Sequence, residues 1–73
     1  MLTNEQRSAA AEYVLYAYRK WNDPDDVDGP LLDDDASDLI TDIAHWLFLD
    51  YGLNEKEILR LVDTALQHFM QEV

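Results

Sequence analysis

YGLNEKE, residues 51–57, carries a helix stop and a helix start within seven positions. Gly52 is the residue type that reaches left-handed backbone angles at no steric cost, so it ends the helix before it. Asn54 and Glu57 then form a capping box, each side chain accepting the other's backbone N–H, and Leu53 can pack on Ile58 as a hydrophobic staple. The spacing predicts a tight hairpin whose second helix runs from about 55 to 72. Ile58, Leu61, Val62, Ala65, Leu66, Phe69 and Val73 give that helix a wide apolar stripe, which Leu59 and Met70 broaden.

Upstream, a helix over about 37–51 has Leu39, Ile40, Ile43, Trp46 and Leu47 as its core stripe, with Asp35 or Ser37 as its cap. Phe48 and Leu49 sit off the stripe, so HWLFLDY is apolar nearly all round, the pattern of a central helix or an oligomer contact. Pro24, Gly29 and Pro30 make residues 22–35 a loop. Before it, Thr3 and Gln6 form a second capping box at the start of a helix over about 4–21. Gln6, Ala10, Tyr13, Val14, Ala17 and Trp21 share its expected core face, and Ala11, Leu15 and Tyr18 form a second apolar patch. The expected architecture is all-α: a small three-helix bundle, 1–73 as a single domain, with an acidic loop between the first two helices and a tight hairpin between the last two.

At 73 residues the chain has room for one marginal core, because short chains bury only about 60% of the surface exposed on unfolding. There is no cysteine, which fits a reducing cytoplasm. The first ten residues have no signal-peptide core, and no apolar run approaches the roughly 20 residues that cross a bilayer. The formal charge of −11 comes from 16 Asp and Glu against 5 Lys and Arg. It excludes direct binding to nucleic acid or to an anionic membrane and points to a basic partner. Arg7, Arg19, Lys20, Lys56 and Arg60 all lie outside Trp21 to Glu55. The aspartates from Asp23 to Asp50 thus meet no cation in their own segment.

DPDDVDGPLLDDD, residues 23–35, partly matches a calcium loop. With Gly29 at the sixth position, Asp26, Asp28, the Pro30 carbonyl and Asp35 fall at ligand positions three, five, seven and twelve. Pro24 at the first position has no side-chain oxygen, and Asp35 is shorter than the usual glutamate, so the reading is a solvated turn-rich loop with weak divalent-cation association at most. Asp38, Asp42 and His45 line one face of the second helix, and the hairpin brings His68 within range of an internal cluster. Without duplicate carboxylates on other helices this lacks the pattern of a di-metal bundle. No metal or other cofactor is expected. There is also no phosphate cradle and no nucleophile with a base, and a chain this small leaves little room for the desolvated pocket that separates carboxyl pKa values. An enzyme is not expected.

The density of carboxylates does have a use. A row of them on a folded surface copies the charge pattern of DNA and can occupy the basic groove of a protein that binds it. The candidate partner-binding residues are Asp23, Asp25, Asp26, Asp28, Asp33, Asp34, Asp35, Asp38 and Asp42. A rival reading is a self-associating structural or adaptor module, for example a homodimer, with Leu15, Tyr18, Phe48, Leu49 and Met70 as candidate contacts.

DLITDIAHW at 38–46, GLN at 52–54 and HFMQE at 68–72 carry a resemblance beyond chemistry. The second half of the chain resembles small acidic helical proteins of phages and mobile elements, which read Asp-Leu-Leu-x-Asp-Leu-x-His-Trp, a glycine turn, then a helix ending His-Tyr-x-x-Glu. Asp38, Leu39, Asp42, His45, Trp46, Gly52, His68 and Glu72 match that pattern, with Phe69 in place of the tyrosine, and the first 37 residues add nothing to it. That group has no settled biochemical function. The resemblance implies a phage origin, a location in the bacterial host cytoplasm and interference with a host or defence protein. Acidic anti-CRISPR proteins are similar in size, helical content and charge alone.

Overall fold

A computed structural model describes residues 2–25 and 29–73 of the chain. The described residues form three helices and no strand: α1 Asn4–Asn22, α2 Asp33–Leu49 and α3 Glu55–Glu72, with α1 touching α2 and α2 touching α3. This is the all-α three-helix architecture expected from the sequence. The chain divides into two units, Met1–Ile40 and Thr41–Val73, the division falling inside α2. No helix among the described residues is long and apolar enough to cross a membrane.

In the N-terminal unit, α1 starts at the predicted capping box. The Thr3 hydroxyl accepts from the Gln6 N–H at 3.1 Å, and Gln6 Oε1 accepts from the Thr3 N–H at 2.9 Å. Arg19 and Lys20 lie in the last turn, where cations offset the helix dipole. Asp23 leaves helical geometry and Pro24 follows it, a sequence that cannot continue a helix.

The inward face of α1 is not the expected one. Gln6, Ala10, Tyr13, Val14, Ala17 and Trp21 are all exposed, Trp21 by 86%, whereas Leu15 and Tyr18 are half-buried and Arg19 is buried at 9% exposure. Leu15, Tyr18 and Arg19 stand three and four positions apart and so share one side of a helix. Arginine burial fixes the rotation. Arg19 Nη1 donates to the Gly29 carbonyl, and Nη2 donates to the Pro30 carbonyl and, at 3.1 Å, to Asp35 Oδ2. A buried guanidinium is tolerated when its donors are satisfied in this way.

The same carboxylate sets the start of α2, which begins at Asp33 rather than near 37, with neither Asp35 nor Ser37 as its cap. Leu32 precedes the helix and has no side-chain oxygen. Instead Asp35, in the third helical position, turns back and accepts the Leu32 N–H at 2.8 Å, one half of a capping box. Three carboxylates, Asp33, Asp34 and Asp35, occupy the first turn, where the partial positive charge of a helix N-terminus favours them.

In the C-terminal unit α2 closes as the sequence predicts, ending at Leu49 instead of 51. Gly52 has φ 84°, and the Tyr51 and Leu53 N–H groups reach back to the Trp46 and Leu47 carbonyls at 3.3 and 3.0 Å. These bonds satisfy acceptors that a helix end leaves free. Asn54 Oδ1 accepts from the Glu57 N–H at 2.9 Å, Glu57 Oε1 accepts from the Asn54 N–H at 3.1 Å, and α3 follows over the expected span. Between the helices Leu47 is buried, and Ala44, Leu53, Ile58 and Val62 are half-buried. The apolar stripes extend well beyond this contact. Ile40, Ile43, Trp46, Leu61, Leu66, Phe69 and Val73, all assigned to the core by periodicity, are exposed, and Leu47 is the single buried hydrophobic residue among those described.

Two stability changes follow. Replacing Arg19 by Met leaves two carbonyls and the Asp35 carboxylate short of their donor, and the expected loss is about 2–3 kcal/mol, at or below the range for fully buried pairs because Asp35 keeps partial solvent access. Asp35→Leu also removes the acceptor of the Leu32 N–H, so the double replacement Arg19→Met with Asp35→Leu should cost less than the sum of the two single losses in urea unfolding followed by circular dichroism. At Gly52 no atom lies within 4 Å of where a Cβ would sit, so the cost of Gly52→Ala is backbone strain alone, about 1 kcal/mol. D-Alanine introduced there by synthesis should have the opposite sign.

Candidate functional site

The aspartates expected to face a partner are placed differently from one another. Asp23 and Asp25 follow the end of α1 and are exposed, as are Asp33 and Asp34 in the first turn of α2 and Asp38 one turn later. Asp34 and Asp38 are four positions apart, about 6 Å along the axis at 1.5 Å per residue. Asp42 is exposed on the following turn. Asp26 and Asp28 lie outside the described residues. Asp35 is the exception, since its side chain is 22% exposed and is held by Arg19 and the Leu32 N–H. It serves the fold and leaves the outward-facing set.

Arg19 also changes the reading of the loop as a cation site. The oxygens assigned to the seventh and twelfth calcium positions, the Pro30 carbonyl and the Asp35 carboxylate, are the ones its guanidinium takes, together with the Gly29 carbonyl. Gly29, Pro30 and Asp35 thus already share a cation supplied by the chain. Among the described residues no three His, Asp or Glu side chains are grouped to hold a metal ion. Asp38, Asp42, His45 and His68, all described, are therefore not assembled into such a group.

A second feature lies wholly in the C-terminal unit, where α2 and α3 leave an open groove of about 600 Å³. Ala44, Phe48 and Leu49 line it from α2, and Ile58, Leu59 and Val62 from α3. Thr41, His45 and Glu55 are its polar lining. Two of the expected oligomer contacts, Phe48 and Leu49, are thus groove residues, 51% and 72% exposed. Met70 is exposed on α3. Leu15 and Tyr18, also expected as oligomer contacts, are half-buried on the side of α1 that carries Arg19.

No protein-family model, curated protein or solved structure matches the chain.

An occupied loop makes a clear calorimetric statement. Calcium titrated to millimolar concentration should give no saturable heat and no rise in melting temperature beyond that given by magnesium at equal ionic strength. A saturable calcium heat would overturn this expectation.

Proposed function

We propose that this chain is a non-enzymatic acidic binding protein of phage or mobile-element origin. It occupies a basic, nucleic-acid-binding surface of a bacterial host or defence protein in the manner of a DNA mimic. The observation that carries this reading is the fate of Arg19, the one basic residue that is buried among those described. Its donors go to Gly29, Pro30 and Asp35, while Asp23, Asp25, Asp33, Asp34 and Asp38 remain exposed. Carboxylates about 6 Å apart on a helix lie well within the roughly 10 Å screening length at 0.1 M salt, so a basic partner meets them as one field.

Solvent exposure of these groups supports binding over catalysis. A carboxyl that acts as a general acid is set apart by desolvation, and these five face water. Their use is counterion exchange: on docking to a basic partner the acidic surface releases the cations gathered around it, as DNA would.

The test is affinity capture from bacterial lysate with the intact chain at low and high salt. The retained proteins should be basic and nucleic-acid-binding, should elute as salt rises, and should be displaced by duplex DNA. Joint Asp→Asn replacement at 23, 25, 33, 34 and 38 should abolish capture and leave the helical circular dichroism intact. Retention that ignores salt, DNA and these replacements would refute the proposal.

A further inference from the structure

We propose that the groove face of the α2–α3 hairpin is a homodimer interface, seated on the same face of a second copy of this chain. The argument starts with the length of the apolar stripe. On α3, Ile58, Leu59, Val62, Leu66, Phe69 and Met70 fall within about 60° of one line at 100° per residue, so the groove wall continues to the end of the helix. The hairpin itself half-buries Ile58 and Val62 and leaves Leu59, Leu66, Phe69 and Met70 between 56% and 72% exposed. Phe48 and Leu49 face the same groove from α2.

The area suits a copy of the chain. Six residues, Phe48, Leu49, Leu59, Leu66, Phe69 and Met70, are each open by half or more. At roughly 200 Å² for a residue with a large side chain, they present about 700 Å² of surface. A stable interface takes about 800 Å² from each partner. Ala44, Ile58 and the polar lining make up the remainder. Two helices side by side, laid on two more across a two-fold axis, form the four-helix layer in which apolar stripes of this width are ordinarily buried.

Charge also selects the occupant. Glu55 is the only acidic residue lining the groove among those described, and it shares that lining with His45. Two copies of a −11 chain meet here with few like charges opposed, whereas a basic protein would find almost nothing to pair with. The buried core is small as well, since Leu47 is the single buried hydrophobic among the described residues. Oligomerisation is a usual way for so short a chain to gain the burial it lacks.

Sedimentation of the intact chain from micromolar to millimolar concentration tests the proposal. The expected result is a dimer whose dissociation constant rises at least about tenfold with Phe48→Glu or Leu59→Glu and is unchanged by Trp21→Glu on α1. A variant that fails to fold gives no answer, so the second measurement uses the wild-type chain: isotope-filtered NOEs in a mixture of labelled and unlabelled protein. Cross-chain NOEs should join Phe48, Leu59 and Phe69. A folded monomer throughout the concentration range overturns the proposal. So does a dimer whose cross-chain NOEs come from other residues, such as Tyr13 and Trp21.

Discussion

Arg19 does in this protein what a metal ion does in a calcium loop: it gathers oxygens from separate stretches of chain onto one positive centre. Its planar fork reaches the Gly29 and Pro30 carbonyls and the Asp35 carboxylate together, a geometry that a lysine ammonium on a flexible stem does not reproduce. Three features of the N-terminal unit depend on this. The helix that carries Arg19 is rotated so that Leu15 and Tyr18 turn inward. The loop residues 29 and 30 are tied to α1. Asp35 is held where it can also take the Leu32 N–H, and so α2 begins at Asp33. Desolvation of the guanidinium opposes the arrangement, and no buried side-chain nitrogen or oxygen among the described residues lacks a partner to offset it.

The C-terminal unit is held by different means. Its turn is set locally, by a left-handed glycine, returning N–H groups and a reciprocal cap at the start of α3. Such local devices contribute on the order of 1 kcal/mol each, and Leu47 adds a single buried apolar contact. An exact turn therefore coexists with a face that is mostly uncovered, and the geometry of the hairpin does not depend on that face being filled.

Legibility in the sequence follows the range of each interaction. Thr3 with Gln6, Asn54 with Glu57, and Gly52 act over three or four positions, and the helix boundaries they control are readable to within two residues. The start of α2 is not, because its cap function belongs to Asp35 at the third helical position, and that aspartate is held there by an arginine sixteen residues earlier. Choosing the inner face of α1 by counting apolar residues failed for a related reason. The stripe with Leu15 and Tyr18 includes Arg19, which hydropathy counts against burial. At the candidate surfaces, Phe48, Leu49, Leu59 and Met70 were visible as apolar residues off or beside the core stripes. That Phe48, Leu49 and Leu59 gather along a groove required the pairing of two helices, which periodicity in one helix does not supply. Among the aspartates, composition shows an excess of negative charge but cannot say which carboxylate the fold consumes.

The two proposed surfaces make opposite demands on charge, and they belong to different units of the chain. Ten of its sixteen acidic residues lie in Met1–Ile40, while the groove in Thr41–Val73 carries one, Glu55. Added salt then acts with opposite signs at the two places. It screens repulsion between approaching copies and leaves apolar contact in the groove intact or slightly favoured, whereas it weakens any hold on a basic partner by reducing the gain from counterion release. A dimer would also present two acidic surfaces at once, and a partner with two basic sites within their reach would be held more tightly than either surface holds alone. Self-association and charge mimicry are thus compatible in one short chain, because the arginine that organises the acidic unit leaves its outer carboxylates exposed and takes no part in the hairpin.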